Sequence, residues 1–307
     1  MHNRASLVVL IAAAGVLIAG VAGGRYAPEE TKVHELAPGV YFRKCQTQPE
    51  FLGCNQGWVI FDDFVLVIDA NFPNQAEEVI GLIRRQTDKP IRYVFDTHYH
   101  GDHADGNQQY TRIGAIAVAN ENSKGLFATK GIAGFRESQM TKPDEYGDLD
   151  YDEPSLYFPG KLVLDDGTMR VELLHFGHAH TAGDAVAWLP EHGIMFTGDA
   201  CVNGAFNYTG DSDTASWIAA LTQMRELPVK TIAPGHGEMS GPELFDTQRR
   251  YFVELRAAVQ EGIDSGKILD DIKSGISLPW YAEWTGVDVQ TRTENIEHVY
   301  AELTENK

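Results

Sequence analysis

The stretch Ile91–His103, IRYVFDTHYHGDH, constrains this chain more than any other. Its first half is β-branched and aromatic, the composition of a strand. Its second half crowds three histidines and an aspartate into seven residues, THYHGDH at 97–103, where neither a packed core nor a solvated face calls for them. His98 and His100 are two apart, so on a continued strand both imidazoles share a face and can reach one ion. Gly101 allows a turn that swings Asp102 and His103 toward a neighbouring point. Imidazole and carboxylate suit zinc and iron-type ions. Four donors cannot fill two coordination spheres, so a fold built on this string must bring others to the same edge.

The rest of the chain offers them where strands run into loops. HAHTAGD (178–184) sets His180 before a Thr-x-Gly turn, FTGD (196–199) puts Asp199 behind a glycine, and PGHG (234–237) sets His236 between two glycines. Such junctions are where site residues sit on a rigid scaffold. Around them, the runs at 40–42, 58–61, 65–69, 91–97, 115–119, 169–176, 185–190, 193–199 and 230–237 predict strands. PNQAEEVIGLIRRQ (73–86) and TASWIAALTQMREL (214–227) predict amphipathic helices, and helices dominate from Pro242 onward. Strand meanders alternate with helices twice over. This predicts an α+β fold of two packed β-sheets with helices on the outer faces. Residues 133–160, polar and rich in Pro, Gly and Tyr, predict a long surface insertion.

Over roughly residues 33–240 the chain resembles the metallo-β-lactamase superfamily. Five landmarks in order carry the resemblance: VLVIDANF, THYHGDH, GHAHTAGD, FTGD and PGHGE. It implies a four-layer αβ/βα sandwich of two mixed β-sheets with a dinuclear metal site at one edge. It implies two zinc ions, with iron or manganese as other ions such donors accept. His98, His100 and His180 would hold the first ion, Asp102, His103 and His236 the second, and Asp199 would bridge them. Asp69 corresponds to a buried carboxylate that orients the histidine loop, and Asp102 would also shuttle the proton. His178 shares a face with His180, but only the residue before Thr181 fits the pattern. The implied reaction is hydrolysis of an amide- or ester-type bond in a small molecule, a β-lactam, lactone or thioester, by metal-bound hydroxide. Phosphodiesterases of the same fold, and persulfide dioxygenases that use one iron, are the alternatives.

Departures from the broad-spectrum zinc β-lactamases bear on the substrate. Those enzymes carry cysteine at the position of Asp199 and lysine three residues on, where Val202 stands. An aspartate there is typical of glyoxalase II-like thioesterases, lactonases and phosphodiesterases, yet HTAGDAVAWLPEHGIMFTGDACV is laid out like the β-lactamase group. By that analogy Asn207 would contact a substrate carbonyl, and Phe51 in the 46–53 loop would touch an apolar substrate.

Residues 5–24 form an apolar run behind Arg4, which predicts a signal peptide or an N-terminal membrane anchor over 1–27. The domains expected are then a catalytic domain at 30–240 and a helical extension at 241–307 packed on it. The protein is expected to be exported, periplasmic or secreted, or tethered to the membrane by that run. A net charge of −19 weighs against a nucleic-acid partner and leaves a small-molecule substrate as the expected one. Of three cysteines, Cys45 and Cys54 could close a short loop as a disulfide or remain thiols, and Cys201 is left over as a packed thiol.

Overall fold

The computed structural model describes residues 32–45 and 53–305. The N-terminal run and the Phe51 loop lie outside those residues. Thr31–Lys307 form one compact unit, which includes the C-terminal helices.

The first half builds β1 (Val33–Ala37), β2 (Val40–Arg43), β3 (Gln56–Ile60), β4 (Val65–Ile68), α1 (Pro73–Gln86), β5 (Ile91–Phe95), α2 (Gly101–Ala104), α3 (Asn107–Thr111) and β6 (Ile116–Asn120). After it come α4 (Lys124–Leu126), a π-helical turn (Phe127–Gly131), α5 (Ile132–Thr141), α6 (Pro143–Tyr146) and β7 (Leu156–Phe158). The second half adds β8 (Lys161–Asp165), β9 (Arg170–Leu174), β10 (Val186–Leu189), β11 (Ile194–Asn203), α7 (Thr214–Arg225), β12 (Thr231–Gly237), α8 (Glu243–Asp264), α9 (Leu269–Gly275) and α10 (Val289–Glu305). One sheet has seven strands in the order β1 to β7, antiparallel through β4 and parallel from β4 to β7. The other has five in the order β12-β11-β10-β9-β8, with only β11 and β12 parallel.

Side-chain alternation explains the layers. In β4, Val65 and Val67 face α1, while Leu66 and Ile68 face the second sheet. In β10, Ala187 and Leu189 face the first sheet, while Val186 and Trp188 face α7 and α8. Strands buried on both faces need apolar residues at every position, which is why these runs read as continuous rather than alternating. The outcome is the expected four-layer sandwich. The helix α1 spans the predicted residues, with Pro73 in its first turn and Ala76, Val79, Ile80 and Ile83 buried.

Two expectations change. The 133–160 segment is not a loop throughout: α5 and α6 occupy its first half, anchored by the buried rings of Phe135 and Tyr146, 5.1 Å apart. The strand β5 ends at Phe95, so His98 and His100 do not share a strand face. They lie on the loop that follows, and His100 starts α2.

Candidate metal centre

The loop after β5 is fixed from below. Asp69, just past β4, has φ +63°, a left-handed conformation unusual for a residue with a Cβ. That turn aims its carboxylate at the loop: Oδ1 accepts the Thr97 N–H at 2.8 Å and Oδ2 meets His103 Nδ1 at 3.0 Å. Asn71, also left-handed at φ +60°, donates its N–H to the His103 carbonyl at 3.0 Å. The second sheet is pinned to the same loop, since the Ala185 N–H donates to Thr97 O at 2.9 Å. Asp184 accepts from both the N–H and the hydroxyl of Thr181, at 2.9 and 2.7 Å, and so sets the turn that carries His180. Asp199 projects from β11 where Gly198, at φ +50°, breaks the register with β12. A Cβ at Gly198 would lie 2.3 Å from the Thr97 hydroxyl, so the two sheets approach closely here through glycine.

These supports bring all seven sequence-nominated donors to one edge, in two groups. His98 Nε2 and His180 Nε2 lie 3.0 and 2.9 Å from His100 Nδ1. Asp102 Oδ2 lies 3.4 Å from His103 Nε2 and 3.1 Å from His236 Nε2. Asp199 stands between the groups: Oδ1 is 3.3 Å from His103 Nε2 and 3.4 Å from His236 Nε2, and Oδ2 is 3.6 Å from His180 Nε2.

The protons say what the groups could hold. His180 Nδ1 faces the Tyr208 carbonyl at 3.0 Å and His100 Nε2 faces Asp211 Oδ2 at 3.2 Å, so each spends its N–H there. The nitrogens they turn toward each other are then bare lone pairs, which repel at 2.9 Å unless a cation lies among them. Burial and the neighbouring imidazoles hold His98 well below the ordinary histidine range and His180 down at about 3, which keeps both rings neutral. His103 turns Nδ1 to Asp69, and its Nε2, buried and without a hydrogen-bond partner, lies beside two carboxylates; burial works against a charged ring, yet Cys54, Asp102, Asp69 and Asp199 hold it well above the ordinary histidine range. Burial works against ionising Asp199, yet His236 and His103 hold its carboxyl well below the usual range. Burial likewise works against a charged His236, yet Asp199 and Asp102 raise it to about 10. The carboxylates call for positive charge, supplied by a proton or by a metal ion. Convergent imidazole lone pairs beside bare carboxylates form a donor set that fits divalent ions.

Other nominated residues fall elsewhere. Asn207 is 1% exposed; its side chain bonds Gln248 and, at 3.0 Å, the Tyr281 hydroxyl, so it does not offer its amide to the cleft. Its expected substrate role is replaced by a structural one, because the C-terminal helices cover it. Cys54 is buried among His103 and Asp69. Cys201 is buried in the core under α7 and α8, and burial pushes its thiol up. His178 stays outside the groups, with Nε2 2.7 Å from the Asp211 carbonyl.

Asp211 was not foreseen. It lies on the loop after β11 and accepts from the Tyr99 hydroxyl at 2.5 Å, from His100 and from Lys130. Sequence carried only a weak signal, one more carboxylate in GDSD (210–213). Above the donors lies a cleft of about 850 Å³ whose walls include Phe72, Lys130, Lys142, Phe206 and Tyr208. That volume suits a small molecule.

Fold and site together define a two-sheet sandwich with a histidine- and aspartate-rich metal centre where both sheets end. Residues 49–236 match the family model described as the metallo-beta-lactamase superfamily, and the chain belongs to that superfamily. It is similar to the metallo-beta-lactamase type 2 of Bacteroides fragilis, 25% identical over 177 residues, 56% of this chain and 64% of that protein. It is also similar to a hydroxyacylglutathione hydrolase of Synechococcus, 23% identical over 201 residues, 58% of this chain and 66% of that protein. The chain thus spans a little under two thirds of the length of these relatives. Among solved structures, a metallo-beta-lactamase from Pontibacter korlensis superposes with a TM-score of 0.62 at 20% identity, covering 73% of this chain and 99% of that one. That likeness concerns the fold.

Proposed function

We propose that this protein is a dinuclear zinc hydrolase that opens an amide- or ester-type bond, in a β-lactam, lactone or thioester. The observation that carries this reading is the convergence of ring nitrogens of His98, His100 and His180 beside a second group of two histidines and Asp102, joined by Asp199. His98, His100 and His180 would hold one zinc, Asp102, His103 and His236 the other, and Asp199 would serve both. Zinc bound there supplies Lewis acidity, which polarises a carbonyl and brings water toward ionisation near neutral pH. The protein's own groups do the rest. Asp211 and the Tyr208 carbonyl orient His100 and His180. Asp102, 21% exposed toward the cleft, can take a proton from attacking water and pass it to the leaving group. Neither serine nor cysteine is needed as a nucleophile, and Cys54 and Cys201 are buried.

Metal analysis with a substrate panel tests the reading. Two zinc per chain is expected, with turnover of at least one of nitrocefin, a lactone or a thioester. Chelation should abolish that turnover and zinc restore it. One iron per chain, or hydrolysis of bis-p-nitrophenyl phosphate alone, would replace it with the dioxygenase or phosphodiesterase reading. We also propose export, on the strength of the apolar run at residues 5–24.

A further inference from the structure

The C-terminal helix α10 is tied to the loop that joins β11 to α7. Residues 295, 298 and 302 are three and four apart, so they share one side of the helix. Each grips the loop at a different point. Glu302 accepts from the N–H and the hydroxyl of Thr214, where α7 begins. His298 Nε2 faces the hydroxyl and the carbonyl of Ser212, at 3.3 and 3.1 Å. Asn295, 4% exposed, reaches furthest: Nδ2 donates to the Asn207 carbonyl at 2.6 Å, and Oδ1 accepts from the Thr209 hydroxyl at 2.8 Å. Its other amide hydrogen goes to the Tyr251 hydroxyl at 2.7 Å. A carbonyl only accepts, so the Asn207 contact fixes which way the amide stands.

Asn295 thus brackets Tyr208 from both sides. The Tyr208 carbonyl accepts from His180 Nδ1 at 3.0 Å, and the same loop carries Asp211, which holds His100. Two of the three rings in the first group therefore take their outer partners from one loop. That loop lacks helix and strand bonds over most of its length, so its shape comes from what it is tied to. The segment before α10 adds a second tie: the Phe206 N–H donates to the Thr285 carbonyl at 2.9 Å, and the Thr285 N–H to the Gly204 carbonyl at 2.7 Å. The second group is supported from the first half of the chain, since Asp69 holds the His103 ring and Asn71 its carbonyl.

We propose that Asn295 is a positioning residue for the metal centre: from α10 it sets the Tyr208 carbonyl, and through that carbonyl the tautomer and aim of His180. The C-terminal helices are then part of the site of His98, His100 and His180 and not of the other. The metal side of this proposal rests on the reading above, so the imidazole is also followed without metal. Metal-free protein labelled with 15N-histidine is compared by NMR for wild type, N295A, T209V and V299A, with H180N to assign the ring. Val299 is buried on α10 in the core and marks what loosening the helix does by itself. Wild type and V299A are expected to show His180 with its proton on Nδ1. N295A should mix the two tautomers, and T209V, which removes one bracket only, should mix them less. Zinc competition with a chromophoric chelator should then show one of two affinities weakened about tenfold in N295A and both unchanged in V299A, with cobalt substitution reporting that the site of His180 is the weakened one. Thermal melts confirm that each variant is folded. A His180 tautomer in N295A equal to wild type, or the same change in V299A, overturns the proposal, as does equal weakening of both zinc affinities. Should wild type bind no zinc, the hydrolytic reading falls and the NMR comparison alone decides on Asn295.

Discussion

Replacing Asp211 by asparagine tests whether the groups around His100 act as a metal support. Asp211 is 10% exposed, and its three side-chain partners all donate: the Tyr99 hydroxyl at 2.5 Å, His100 Nε2 at 3.2 Å and the Lys130 ammonium. These donors hold its carboxyl well below the usual carboxylate range. An amide NH2 in place of one oxygen faces donors only, so one hydrogen bond becomes a repulsive contact. His100 then loses the acceptor that fixes its Nε2 proton and aims Nδ1 at the other histidines. Loss of such an outer partner costs about 10- to 100-fold in metal affinity, or roughly 1.4–2.7 kcal/mol. The loss is expected in the site of His98, His100 and His180, since Asp211 touches no group of the other site. Competition with a chromophoric chelator resolves the two affinities, and cobalt substitution reports which site weakens. Tyr99→Phe, which removes a single donor from Asp211, should have a smaller effect. If D211N binds both ions as wild type does, Asp211 does not support the metal.

Gly235→Ala would put a Cβ 2.1 Å from Asp199 Oδ1 and 2.7 Å from the Gly198 carbonyl carbon. Because one obstacle is backbone, Asp199 must move; about 1–3 kcal/mol of stability and most of the bridging metal affinity should go together, read by thermal melts with and without zinc. Asn207→Ala should cost about 1–3 kcal/mol in urea unfolding, because Gln248 loses its buried partner, while KM for any substrate found stays as in wild type. His298 tests the docking of α10. Its hydrogen bond to Glu302, 3.0 Å, raises its pKa above 6.5, so its contribution is full below 6.5 and lost as pH rises through the folded value. Burial opposes ionisation of Glu302, but His298 and Thr214 bring it below 4.5, so its contribution is present above 4.5 and lost as pH falls through the folded value. The pair therefore matters most between about 4.5 and 6.5, and H298Q should lower Tm by about 1–3 °C at pH 6 and less at pH 8.5.

The layers were legible because burial writes itself into short runs. Val65–Ile68 is apolar at each position since both faces of β4 are covered, and α1 shows its inward stripe at Ala76, Val79, Ile80 and Ile83. The α5–α6 segment was harder to read. Its inward residues, Phe135 and Tyr146, are too far apart to make a period, and its helices are held by the contacts of those rings with each other, with Tyr151 and with Asp105 rather than by their own pattern.

Sequence by itself determined which donors this protein carries, whereas the structure sets Asp102 and His103 within α2 and Asp199 inside β11, which runs on to Asn203. Ligand type is a property of single residues, and the strand or helix leading to each is a local pattern. Tertiary structure decided the rest. It brought His236 and Asp199 from the second sheet against His98 and His103 from the first, because Gly198 lets the second sheet meet the Thr97 loop closely at that edge and Gly235 leaves room for Asp199 beside β12. It recruited Asp211 behind His100, withdrew Asn207 beneath the C-terminal helices, and set Lys142 over Phe72. Those outcomes depend on contacts between residues far apart in the chain, and no local pattern in the sequence encodes such distances.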